Sequence, residues 1–204
     1  YDAAITLREN TFVLAGYTIA GWKLVETYGN ATNNGAVEVI NLAESGEVTL
    51  VAQWTANTTT SYTVLHMGNK LNGEGYEVRN TEVLAGTTDK SVNALVTSVV
   101  YPDGLYDFTY DPVKTAAINK TVADIAGDGS TVLEIYYTRD SFTLTFAPDT
   151  ANGVSGTNFT EVYNFEQEIS LPGATGFTKT GYVFANWDLE GTGYNQGSIY
   201  TVGE

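Results

Sequence analysis

The chain has 204 residues, 43% of them hydrophobic and 12% aromatic, which is enough material for more than one small packed core. Its formal net charge is −15, spread along the whole length without a basic cluster, which argues against nucleic-acid partners and a peripheral membrane surface. The absence of cysteine excludes disulfide staples, thiolate catalysis and cysteine metal sites, and no apolar run is long enough to cross a bilayer.

Charged residues make up only 16%, and Thr, Asn, Ser and Gly fill the polar positions. That is a strand-and-turn composition. Fourteen Tyr, 8 Phe and 3 Trp are far more aromatic material than a disordered chain carries. Tyr1 is not an initiator residue and no signal peptide is visible, so the expectation is a piece of a longer protein. Sequons at Asn30, Asn57, Asn119 and Asn158 are expected by chance in a chain so rich in Asn and Thr.

Taken in order, Ile5 and Leu7 alternate, and a polar loop runs to Ala15. Gly16 punctuates, and residues 17–22 read as a strand with Tyr17 and Ile19 on one face, Ala20 and Trp22 on the other. Residues 28–35 are a turn cluster, after which Val37, Val39 and Leu42 restart the alternation. Residues 47–54 form a clear strand, with Val48, Leu50, Ala52 and Trp54 on its apolar face. Residues 55–61 lack a large apolar side chain and read as a domain boundary, with the linker itself at 58–61.

A strand at 62–67 opens the next stretch, followed by a Gly-rich turn and a long strand at 76–84. Residues 89–100 are the best helix candidate, with Asp89 as cap and Val92, Leu95, Val96 and Val99 at helical spacing. Residues 101–110 are aromatic and irregular, residues 121–125 a strand, and residues 126–129 a hairpin-type turn. Residues 131–138 form a strong strand, its faces being Leu133, Ile135 and Tyr137 against Val132 and Tyr136. Arg139 and Asp140 leave at most a two-residue junction before Phe142, Leu144 and Phe146 alternate again, and residues 158–163 can pair back on them.

One stretch occurs twice. Gly16-Tyr17-Thr18-Ile19-Ala20-Gly21-Trp22 returns as Gly181-Tyr182-Val183-Phe184-Ala185-Asn186-Trp187. A self-match with a different segment between suggests tandem modules, spanning 1–57, 62–140 and 141–204. The pattern of aromatic strand, Ile-Ser-Leu (residues 169–171), the Gly-Tyr-to-Trp stretch and the Val48–Trp54 run resembles the internalin-type B-repeat, also called the Listeria–Bacteroides repeat. Asn186 departs from the glycine that family prefers. The middle stretch, through Tyr62-Thr63-Val64, Gly73-Glu74-Gly75-Tyr76 and residues 127–139, is similar to the mucin-binding-protein-like β-grasp repeats. The resemblance implies a mainly β fold with minor α, built of tandem small β-grasp-like modules. Measured from the two tryptophans, the first module lacks its opening strands and the third its closing strand. Incomplete sheets expose edges, which leaves two readings open: head-to-tail self-association through them, or a different pairing of the remaining strands within the chain.

Candidate chemistry is thin. His66, the single histidine, cannot by itself build a metal site or a triad, and a structural role is expected. Asp103, Asp107, Asp124 and Asp128 invite a calcium reading but fit no EF-hand pattern, and Asp128 sits where a turn wants Asp-Gly. Glu77, Glu82, Glu166 and Glu168 read as ordinary solvent-face residues rather than a glycosidase pair. Trp22, Trp54 and Trp187 read as core, each ring worth roughly 2–3 kcal/mol on burial. Tyr101, Tyr106 and Tyr110 are the candidate ligand-binding residues, as an exposed aromatic group. Lys23 and Lys120 carry no pattern for an isopeptide crosslink. No catalytic residue, metal ligand or cofactor is expected.

The reading is therefore a non-catalytic repeat segment of a bacterial cell-surface or secreted protein, acting as stalk, spacer and adhesion module. Its expected partner is a host or bacterial surface protein or glycan, without nucleic acid and without membrane insertion of this segment. The surface location is implied by the resemblance. A carbohydrate- or mucin-binding adhesin is the alternative, and a glycan-active enzyme fragment a more distant one.

Overall fold

A computed structural model describes residues 5–24, 38–39, 47, 49–98 and 105–203. Among the described residues the fold is mainly β, 47% strand and 8% helix. The chain divides into two compact units: Tyr1–Leu65, Thr81–Val99 and Thr115–Ile135 form one, and His66–Asn80, Val100–Lys114 and Tyr136–Glu204 the other.

The first elements are β1 (Ile5–Thr6), β2 (Tyr17–Leu24), β3 (Glu38–Val39) and β4 (Leu50–Ala56). β1 pairs antiparallel with β3, and β2 with β4, from Tyr17↔Ala56 to Leu24↔Leu50. The β2–β4 register shifts between Ile19 and Gly21. This bulge changes the face assignment read from strict alternation: Ile19 and Gly21 are buried, Ala20 is exposed and Trp22 half-buried.

Next come β5 (Thr60–Asn69), β6 (Tyr76–Gly86), β7 (Ser91–Asn93), α1 (Ala94–Thr97), β8 (Phe108–Tyr110), α2 (Pro112–Ile118), β9 (Val122–Asp124) and β10 (Val132–Arg139). Four of these strands make a sheet in the order β6-β5-β10-β8. Alternation decides what they bury. β5 turns Tyr62, Val64, His66 and Gly68 inward, and β10 turns Leu133, Ile135, Tyr137 and Arg139 inward.

The remaining elements are β11 (Ser141–Phe146), β12 (Phe159–Asn164), β13 (Glu168–Ser170), β14 (Trp187–Leu189), β15 (Thr192–Tyr194) and β16 (Ile199–Thr201). They form three two-stranded antiparallel ladders: β11–β12, β13–β16 and β14–β15. Phe146, Ile169, Leu171 and Val202 are the buried centre of this region, with Phe142, Leu144, Phe159, Tyr163, Trp187, Tyr194 and Tyr200 packed around them.

Three local expectations are corrected. The helix expected over residues 89–100 is a single turn, α1, because Ser91–Asn93 is drawn into a strand opposite β9 (Val92↔Ala123). Asp89 has φ +62°, a left-handed conformation away from the extended one typical of N-caps; the cap is Asn93, whose side chain accepts from the Leu95 N–H at 3.0 Å. The turn at residues 126–129 does not close a hairpin, since β9 pairs with β7 and not with β10. Unlike the first copy, the second copy of the repeated stretch enters a strand only at Trp187. The expectations for residues 28–35, Val37, Leu42, Val48 and residues 101–104 lie outside the described residues.

Candidate functional site

The sheet alternation that points Leu133, Ile135 and Tyr137 inward also points Arg139 inward, and its side chain is only 3% exposed. A buried guanidinium must be paired and hydrogen-bonded. Nη1 donates to Glu166 and to the Phe165 carbonyl at 3.0 Å, and Nη2 donates to the Asn69 carbonyl at 3.3 Å. Arg79 grips the same carboxylate, and also Glu77 at 3.1 Å. Both cations stand over the Phe108 ring, each guanidinium carbon 4.8 Å from its centroid, and Phe165 meets it edge-on at 6.0 Å. Gly68 makes room for this stack, because a Cβ there would fall 2.6 Å from Phe108 Cε1.

Glu166 therefore has a fixed job. Burial pushes its carboxyl up, but hydrogen bonds from Arg139 and Arg79, reinforced by their charge, outweigh that and hold it below the usual range. Arg79 is affected in the opposite sense: burial pulls it down, and Glu166 and Glu77 together hold it above its ordinary value. Glu77 and Glu166 are not the plain solvent-face residues expected from the sequence. They are two acids clasped by two arginines, and a clasped carboxylate is a poor general acid or base. The visible signal is Arg139 on the apolar face of a strand. Nothing in the sequence couples it to Glu166.

Asp140 alone separates β10 from β11. Its N–H donates to the Asp107 carbonyl at 3.0 Å, its carbonyl accepts from the Phe165 N–H at 2.9 Å, and its carboxylate accepts from Thr109 Oγ1 at 2.7 Å. The passage from β4 to β5 is similarly tied. The Asn57 N–H donates to the Gly16 carbonyl at 2.8 Å, and the Asn57 carbonyl accepts from the Thr88 N–H at 2.9 Å. Thr88 Oγ1 donates to the Gly16 carbonyl at 2.8 Å and meets Thr60 Oγ1 at 2.7 Å. Tyr17 donates to Asp89. Gly127 packs so closely that a Cβ there would lie 2.0 Å from the Ala15 carbonyl oxygen. A polar cavity of about 270 Å³ remains here, lined by Gly16, Asn57, Thr60, Gly127 and Asp128 among others.

Of the candidates drawn from the sequence, Tyr101 and Asp103 lie outside the described residues. Tyr106 is 75% exposed, and Tyr110 is half-buried with its ring edge-on to Tyr137 at 6.1 Å. His66 is fully buried, its Nδ1 2.8 Å from the Tyr137 hydroxyl. Asp124 and Asp128 are exposed; Asp128 accepts from the Ser130 N–H at 3.0 Å, and bonds to Ser130 hold its carboxyl below the usual range. No group of three or more metal-competent side chains occurs among the described residues. Lys23 is exposed, and Lys120 pairs with Glu134 at 2.6 Å. Trp187 is a core residue: Nε1 donates to the Pro172 carbonyl at 2.7 Å, and its ring contacts Phe146, Phe177 and Phe184 at 5.0, 5.8 and 5.0 Å. Trp22 and Trp54 are half-buried in the β2–β4 pair.

Residues 142–204 match the family of the Listeria-Bacteroides repeat domain. Repeats of this family are found in bacterial surface proteins and are non-enzymatic. No curated protein and no solved structure matches the chain. No helix among the described residues is long and apolar enough to cross a membrane.

Proposed function

We propose that the chain is a non-catalytic repeat segment of a bacterial cell-surface or secreted protein, acting as stalk and spacer and as a protein-contact module. It is organised as consecutive modules at 1–57, 62–140 and 141–204, joined at residues 58–61 and at Asp140, each β-grasp-like. The four-stranded sheet with α2 following β8 supports that reading for the middle one. The repeat match over residues 142–204 supports it for the last, and for the surface location.

The observation that carries the spacer role is the junction at Asp140. Its N–H, carbonyl and carboxylate are all engaged, and Arg139 beside it is buried and bonded to Glu166, Phe165 and Asn69. A spacer must transmit position from one module to the next. A one-residue connection with every polar group tied does so, and a flexible linker does not. The test uses the natural absence of cysteine. Spin labels at Val113→Cys and Val162→Cys, both exposed, bracket the junction. A single narrow distance that broadens in Arg139→Ala is the expected result. A broad distribution in the otherwise native chain overturns the spacer role.

A further inference from the structure

The polar cavity at the passage from β4 to β5 has walls of backbone and small polar side chains. Three glycines line it: Gly16, Gly127 and Gly129. Gly16 and Gly129 have φ of +77° and +78°, left-handed values suited to glycine. A Cβ on Gly129 would stand 3.5 Å from the carbonyl oxygen of Ser61, another wall residue, so part of the space is what position 129 leaves by carrying no side chain. The frame is tied independently of any occupant. Both backbone groups of Asn57 are bonded, and Thr88 Oγ1 donates to the Gly16 carbonyl. With its proton committed there, Thr88 Oγ1 can only accept from Thr60 Oγ1 at 2.7 Å.

Hydrogen-bonding capacity is left over on this frame. Asn57 Oδ1 accepts from Thr18 Oγ1 at 2.7 Å, but Asn57 Nδ2 makes no hydrogen bond among the described residues. The hydroxyls of Thr59 and Ser61, both exposed, make none there either. The Asp128 carboxylate accepts from the Ser130 N–H at 3.0 Å, and its bonds to Ser130 hold it ionised. It is the only charged side chain among the lining residues. These groups exclude most ligand classes. An anion meets a carboxylate and no cation. A hard cation takes six to eight oxygens, and no group of three metal-competent side chains occurs among the described residues. An apolar ligand finds no large apolar side chain on the walls. A basic side chain satisfies the carboxylate but offers nothing to the Asn57 amide, which needs an acceptor.

We propose that this cavity binds one uncharged sugar ring through two adjacent hydroxyls. The two O–H groups donate to the Asp128 carboxylate, and their oxygens accept from Asn57 Nδ2 and from the Thr59 or Ser61 hydroxyl. Hydrogen bonds to an ionised acceptor are the strong ones, so Asp128 carries most of the selectivity for a diol. The volume of about 270 Å³ stands at the small end of ligand sites, which limits the occupant to a single ring. No aromatic side chain lines the cavity to stack on that ring, so the affinity for one sugar is millimolar. A sugar site adds a function to the spacer and protein-contact role, and the two are measured separately.

The probes are methyl α-mannopyranoside, methyl α-glucopyranoside and methyl β-galactopyranoside, each titrated to about 100 mM into the isotope-labelled full chain and read by NMR. The expected result is saturable movement of the Asn57, Thr59, Ser61 and Gly129 amide signals with at least one of the three. The fully O-methylated form of that sugar moves none of them, because its oxygens no longer donate. Asp128→Asn weakens binding at least tenfold while signals outside residues 126–131 keep their positions, since the new amide oxygen still accepts from Ser130. The proposal is overturned if no sugar gives saturable movement at these residues, or if the O-methylated form binds as well. It is also overturned if Asp128→Asn binds unchanged, or if the cavity answers only to Nα-acetyl-lysine methylamide, which would make it a seat for a basic side chain. Because the sugar series uses the unsubstituted chain, a folding failure of Asp128→Asn does not blunt the test.

Discussion

Replacing Arg139 by alanine removes a guanidinium whose side chain is 3% exposed, and with it the pair to Glu166, two hydrogen bonds to carbonyls and the cation on Phe108. Breaking a fully buried pair at one partner costs about 3–5 kcal/mol. Glu166 is 36% exposed and keeps Arg79, so solvent and the second arginine reduce the ionic loss to about 2 kcal/mol. Losing the cation over a desolvated ring adds about 1 kcal/mol. Losing the packed stem adds about 1 kcal/mol more. Against these stands Nε, which is buried without a partner among the described residues; deleting it returns about 1 kcal/mol. The net loss is about 3 kcal/mol. With a urea m-value of about 2 kcal/mol/M, the midpoint followed at the Trp187 indole moves down by roughly 1.5 M. Glu166→Gln alone has a smaller effect, and the double variant falls short of the sum, because both act on one network. A midpoint shift under about 0.3 M, or strict additivity with Glu166→Gln, refutes the clasp.

Other outcomes rest on the same geometry. Glu166 is held below its ordinary value of 4.5, so its contribution is present above that value and is lost as pH falls through the lower folded pKa. Acid titration of stability at the Trp187 signal shows this loss, and Glu166→Gln flattens it. The Tyr163 phenol is pushed up to about 12, chiefly by its bond to Glu161. Ultraviolet titration therefore shows a late phenol transition from Tyr163, and Glu161→Gln returns it toward its ordinary value of 10.0. Gly127→Ala places a Cβ 2.0 Å from the Ala15 carbonyl oxygen, a backbone clash that costs about 1–3 kcal/mol by thermal melt. An unchanged melting temperature would show that the close approach is relieved without cost.

Strands are legible in the sequence where one face is buried. β5 and β11 alternate cleanly, and in β10 the inward face of Leu133, Ile135, Tyr137 and Arg139 is the one alternation selects, although Tyr136 on the other face is buried as well. Alternation fails at Ala20, where a bulge inserts an extra residue that no local pattern announces. Residues 89–100 carry helical spacing, but their β-branched side chains suit a sheet equally, and Ser91–Asn93 is held as a strand by pairing with β9. α2 has a local start signal in Asp111 before Pro112, and the Asp111 carboxylate accepts from the Lys114 N–H at 2.8 Å. The repeated stretch shows the limit most clearly. Related sequences yield the same turn and the same Phe–Trp clamp, because those are local. They yield a strand only where a partner strand lies alongside, because a strand is a tertiary object. The arginine clasp is hidden from the sequence for the same reason. Arg79, Arg139 and Glu166 are distant along the chain, and only the inward position of Arg139 signals that a partner must exist.

The proposed role is mechanical, so stretching one molecule by its two ends tests it most directly. The account predicts no extension at low force, then abrupt ruptures. One of them releases the length of residues 142–204 at about 3.5 Å per residue, less the folded span, and it moves to lower force in Arg139→Ala. Smooth lengthening at low force, without ruptures, would contradict it.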